Sequence, residues 1–242
     1  MDSATRKDLK GDKFAEEVFD IFEWISTHKS EMMRYGGIAV AVAIIAVGVV
    51  LYNRSQAETR QEALAAALAI EDGSVGPTAP PAVMHYDTPE DKDKARVKAY
   101  TNLATKYSGT QEGAFGSFAL ASDAIDKGNM AEAEKRYREV ATSGPKAYAA
   151  LANIALARVL VAEGKPADAQ KILQNLTNNP ALTVSKEAAT LDLAEVMSKN
   201  DPAGALKLLD TLRTSPRQPV SRVAVTEYGN IDQANPSLNK KK

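Results

Sequence analysis

Apolar residues are distributed very unevenly along this chain. Tyr35 to Tyr52 reads YGGIAVAVAIIAVGVVLY, 18 residues without a charge. At ~1.5 Å per residue this helix would be about 27 Å long, close to the ~30 Å hydrocarbon core of a bilayer. Tyr35 and Tyr52 sit at its two ends, where amphipathic rings favour the headgroup zone. The pattern predicts a transmembrane helix over residues 35–53. Because 34 residues precede it, an uncleaved anchor is expected rather than a signal peptide. In the arm before it, Phe14, Val18, Ile21, Phe22 and Ile25 fall on one helical face, with Glu16, Glu17, Asp20 and Glu23 on the other. This arm, residues 1–34, reads as an amphipathic helix. Its acidic face suits a partner protein as well as a bilayer surface, where such helices usually carry Lys and Arg.

Beyond the span, Gln56 to Ile70 is rich in Ala, Glu and Gln and continues the helix into solvent. Gly73 to Pro89 holds Gly73, Gly76, Pro77, Pro80 and Pro81 and reads as a loop, so residues 54–89 form a helix extension and a Pro/Gly-rich connection. From residue 90 to 220 Ala-rich amphipathic segments alternate with short breaks. The one period-2 pattern is weak, SRVAVTEY from Ser221. Residues 221–242 end in three lysines and are expected to be a disordered tail. The fold class is all-α.

Three segments within the helical part look alike. Leu120-Ala121, Leu156-Ala157 and Leu193-Ala194 occupy matching places in their first helices. A turn follows each, then an alanine with a large residue four positions on: Ala133/Tyr137, Ala169/Leu173 and Ala205/Leu209. Successive alanines of this set are 36 residues apart, and Pro145, Pro180 and Pro216 close the units. Small residues let two antiparallel helices approach closely, and large ones fill the space between units. The pattern resembles the tetratricopeptide repeat, a helix–turn–helix unit of about 34 residues, in a degenerate form without its Trp and Gly.

The order of parts adds a second resemblance. An acidic amphipathic arm, one membrane helix and a degenerate repeat domain together resemble the YfgM-like family, the ancillary subunit of the bacterial Sec translocon. The likeness is strongest in YTNLATKYSGTQEGAFGSFALASDAIDKGNMAEAEKRYREV and LANIALARVLVAEGKPADAQKILQNL, and covers residues 14 to 213. It implies a single-pass inner-membrane protein with its N-terminus in the cytoplasm and its repeats in the periplasm. It also implies SecYEG and periplasmic chaperones as partners. Lys and Arg agree with that orientation: Arg6, Lys7, Lys10, Lys13, Lys29 and Arg34 precede the span, although close to the membrane the two sides tie. The Gly73–Pro89 loop and the lysine-ended tail depart from the family.

Composition narrows the chemistry. Lys+Arg is 30 and Asp+Glu is 31, which argues against a broad basic face for nucleic acid. There are no cysteines, so disulfides, thiolate metal sites and a cysteine nucleophile are excluded. The two histidines, His28 and His85, are far apart in sequence. No phosphate loop, dinucleotide fingerprint, H-E-x-x-H or nucleophile elbow occurs. Neither catalytic residues nor a cofactor or metal site is expected, and no small-molecule substrate. What remains is protein binding. Two classes fit: a tethered scaffold for export or envelope chaperoning, and an assembly or regulatory factor for another envelope complex.

In a repeat of the kind this chain resembles, the first helix of each pair lines the concave side at positions 2, 5 and 9. Those positions carry Phe115, Phe118 and Ser122, then Leu151, Ile154 and Arg158, then Ala188, Leu191 and Glu195. The candidate protein-binding groove is therefore Phe115, Phe118, Leu151, Ile154, Arg158, Leu191 and Glu195. Its mainly apolar character argues against a clamp for a peptide carboxylate. Two readings stay open: an open groove for an extended or helical partner, or a surface covered by the post-span helix or the C-terminal segment.

Overall fold

A computed structural model describes residues 29–77 and 84–241. The expected amphipathic helix over Phe14–Ile25 lies outside the described residues. Among the described residues there are nine α-helices, one 3-10 turn and two strands of two residues each, so the chain is all-α. It divides into two units, residues 1–59 and 60–242.

In the first unit, helix α1 (Lys29–Glu71) begins six residues before the uncharged stretch. From Tyr35 to Tyr52 its large apolar side chains are all between 52% and 69% exposed. By length and composition α1 is able to cross a membrane, with an 18-residue window of mean hydropathy 2.3.

The second unit begins with the last turns of α1. Ala67 and Ile70 are buried there. Lys92 donates from Nζ to the carbonyls of Glu71 at 2.6 Å and Gly73 at 2.9 Å. A cation on the last carbonyls suits the negative end of a helix. The expected loop follows, but its base is pinned: β1 (Ser74–Val75) pairs in parallel with β2 (His85–Tyr86).

Seven helices follow as a chain of hairpins: α2 (Pro89–Lys106), α3 (Gln111–Asp126), α4 (Met130–Ser143), α5 (Lys146–Ala162), α6 (Pro166–Asn178), α7 (Lys186–Met197) and α8 (Pro202–Arg213). Their starts are written in the sequence. Thr88, Thr110, Asn129, Ser185 and Asp201 each accept a hydrogen bond from a first-turn amide. Gly128 and Gly164 turn the chain between helices at φ 74° and 77°, where a side chain would be strained. The repeat alanines sit where helices meet: Ala121, Ala133, Ala169, Ala194 and Ala205 are 0% exposed and Ala157 is 1%. The large partners Tyr137, Leu173 and Leu209 are buried beside them.

The C-terminal expectation is corrected. Among the described residues, 221–241 are mostly helical rather than a disordered tail, and SRVAVTEY is not a strand. A further helix, α9 (Gln218–Ala234), packs on α8 and α7, and a 3-10 turn follows at Pro236–Lys241. Val220, Ala224, Tyr228 and Ile231 face the core at helical spacing. Val223 and Val225, which suggested alternation, point to solvent. The helix closes a solenoid end that would otherwise leave Leu206, Leu209 and Leu212 open.

Candidate protein-binding groove

Helices α3 and α5 are separated by two chain reversals, so they run in the same direction. Phe118 on α3 stands edge-on to Tyr137 of α4, with ring centroids 4.8 Å apart. The Tyr137 hydroxyl lies 3.3 Å from Ser122 Oγ. These contacts fix the aromatic floor of a furrow between α3 and α5. Two apolar cavities run along it. One, of about 260 Å³, is lined by Phe115, Ser122 and Tyr148 among others; the next, of about 520 Å³, takes in Ile125, Met130, Tyr137, Ile154 and Arg158. Phe118 and Leu151 belong to both. The larger volume falls in the range of ordinary ligand sites, and the smaller lies just below it.

A third cavity, of about 910 Å³, opens between α5 and α7 and shares Ile154, Arg158 and Ala162 with its neighbour. It is more polar. Arg158 reaches across it and donates to Asp192 at 3.3 Å, but its side chain stays 71% exposed. Glu195 and Lys199 complete that wall.

Phe115, Phe118, Leu151, Ile154, Arg158 and Glu195 therefore line one connected set of cavities. Leu191 does not. It packs with the C-terminal cluster that α9 completes, so α9 draws it away from the groove. Ala188 is exposed in the first turn of α7, its amide capped by Ser185. Exposure differs from residue to residue along the furrow. Phe115 packs partly against the buried cluster that includes Ala67 of α1, and meets Tyr100 edge-on at 6.0 Å. Leu151 remains 38% exposed. Sequence positions missed Ile125 and Tyr148, though both continue the same helical stripe. Met130 and Tyr137 come from the second helix of the pair and carried no such signal.

Charges elsewhere serve packing between helices. Arg96 binds both Asp93 and Asp123, and Lys127 bridges the same two carboxylates. Arg138 and Lys165 bind Glu134 at 2.6 and 2.9 Å and hold its carboxyl down at about 2. Among the described residues no group of three or more His, Asp or Glu is placed to hold a metal. Ser74 Oγ lies 3.2 Å from His85 Nδ1, and Asp87 is 4.0 Å from Nε2. Asp87 is almost fully exposed, and these three residues line none of the cavities described above.

A family model, the tetratricopeptide repeat-like domain, matches residues 33–181 and again 144–216. The chain belongs to that family. No curated protein and no solved structure matches it. The overlapping matches on this repeat-like domain agree with the repeats at α3–α4, α5–α6 and α7–α8, and the first match also takes in the apolar stretch of α1. The fold is that of a scaffold for protein–protein contact.

Proposed function

We propose that this protein is a membrane-anchored, protein-binding scaffold of the bacterial cell envelope that assists Sec-dependent export or periplasmic chaperoning. Residues 35–53 are the anchor, the arm is cytoplasmic, and the repeat-like domain works in the periplasm. The observation that carries this reading is the connected apolar furrow on a tetratricopeptide-like fold, with Leu151 38% exposed at its centre. Apolar surface of that kind is costly in water and marks a contact site. The exposed apolar side chains from Tyr35 to Tyr52 support the anchor. The YfgM-like resemblance supports the translocon and periplasmic chaperones as partners.

The reading is tested on native membranes. The full chain should resist carbonate extraction, and protease added to spheroplasts should digest residues after 53 while sparing the arm. Mild solubilisation should then co-purify the chain with the translocon core. Release by carbonate, or co-purification with a different envelope complex alone, would contradict it.

A further inference from the structure

One edge of the second unit carries cations that its helices do not need. Helices α3, α5, α7 and α9 alternate with antiparallel neighbours, so their first residues share this edge. Lys146 opens α5 and Lys186 opens α7. A cation is disfavoured in a first turn. The starts on the opposite edge carry acids instead: Glu90 and Asp91 in α2, Glu132 in α4 and Asp168 in α6. Lys146 and Lys186 are exposed and make no ion pair among the described residues. Lys106 closes α2 beside them. The carboxylates in first turns here, Glu112 and Glu187, are taken up by Arg60 and Arg217, and Arg213 holds Asp210. That leaves exposed Glu139, a turn inside the end of α4, against three free lysines.

The same edge holds the most exposed large apolar residue among those described. Leu182 is 102% exposed between α6 and α7, and its turn is fixed. The amides of Ala181 and Val184 donate to each other's carbonyls at 3.0 and 3.2 Å. Thr183 Oγ1 donates to the Ala147 carbonyl of α5 at 2.7 Å, and Val184 is buried. An aliphatic tip held out between Lys146 and Lys186 suits a lipid surface, where the tip enters the headgroup boundary and the cations meet anionic lipid. A specific protein interface needs about 800 Å² from each side, far more than one leucine presents.

The chain also enters the unit at this edge. Arg60 pairs with Glu112 in the first turn of α3 at 3.3 Å. Arg60 comes eight residues after Tyr52, a reach of at most about 28 Å at ~3.5 Å per residue. A bilayer that holds residues 35–52 is therefore always close to the point of entry. From these observations we propose that the edge formed by Lys146, Leu182 and Lys186 docks on the surface of an anionic bilayer. The inference rests on the reading of residues 35–53 as a membrane anchor, and adds a second contact of the same chain with the same membrane.

The chain has no cysteine, so single cysteines carry a fluorophore to chosen places in the full chain. Asn178→Cys lies on the proposed edge, Asn200→Cys on the opposite one and Val42→Cys in the span, all exposed. The chains are placed in vesicles of phosphatidylcholine with phosphatidylglycerol that contain lipid spin-labelled near the headgroup. Position 178 should be quenched more than position 200, and less so in phosphatidylcholine alone. Leu182→Asp, and Lys146→Glu with Lys186→Glu, should each weaken quenching at 178. A basic residue near an anionic surface is worth roughly fivefold in affinity, so the double variant should lose most of the contact. These side chains are exposed, so the melting temperature should hold and the loss cannot come from unfolding. Equal quenching at 178 and 200, or quenching at 178 indifferent to both variants, would overturn the docking edge while quenching at 42 leaves the anchor standing. A protein adduct from position 178 in native membranes, without quenching in vesicles, would overturn it in favour of a protein partner. Absence of quenching at 42 would overturn the anchor, and the inference with it.

Discussion

Ala133 and Ala157 are 0% and 1% exposed where helices cross. Ala133→Leu or Ala157→Leu should destabilise residues 60–242 by about 1–3 kcal/mol through overpacking, seen as a lower urea midpoint. Unchanged midpoints would mean that these alanines do not set the helix spacing. Glu134 makes a different prediction. Arg138 first, and Lys165 second, hold its carboxyl down from 4.5 to about 2. A depressed carboxyl pKa adds stability above the unfolded value and loses it as pH falls through the folded one. Wild type should therefore exceed Glu134→Gln in melting temperature at neutral pH, and the gap should close between about pH 4.5 and 2. The gap will be small, because the site faces solvent. At this scale much was legible: the buried alanines were marked by their 36-residue spacing. Leu191 was read as a groove residue, and nothing in α7 alone reveals that it packs on the C-terminal cluster that Ala224 and Ile231 of α9 complete.

At the scale of elements, the alternation of Ala-rich amphipathic segments with short breaks announced the repeat helices, and Thr110, Asn129 and Ser185 cap three of them. The last helix was hidden because Val223, Val225 and Thr226 imitate a strand on the face turned to solvent. Its buried set, Val220, Ala224, Tyr228 and Ile231, is sparse, and only Ala224 and Ile231 are fully inside. The β1–β2 pairing was hidden for another reason. A two-residue ladder has no period to read and depends on how Ser74 and Lys92 close the base of the loop. Helix α9 carries the prediction here. A chain ending at residue 217 should lose about 2–4 kcal/mol, from apolar burial at ~25 cal/mol per Å². Hydrogen exchange should quicken in α8 before α3. Equal protection of α8 in both chains would show that α9 does not cap the solenoid.

At the scale of the whole molecule, two demands on the same sequence are visible. Residues 35–52 keep large apolar side chains exposed with no polar face, as suits a lipid environment. Residues 60–242 bury most of their apolar stripes between helices, and along the furrow Leu151 and Arg158 stay accessible. The claim that joins them is that a tethered domain binds a protein through that furrow. The most direct measurement places a photo-crosslinking residue at Leu151 in the full chain in its native membrane, with a second variant carrying it at Val223, exposed on α9. The account predicts one dominant protein adduct from position 151 and little from position 223. Equal adducts from both positions, or adducts only from position 223, would contradict it.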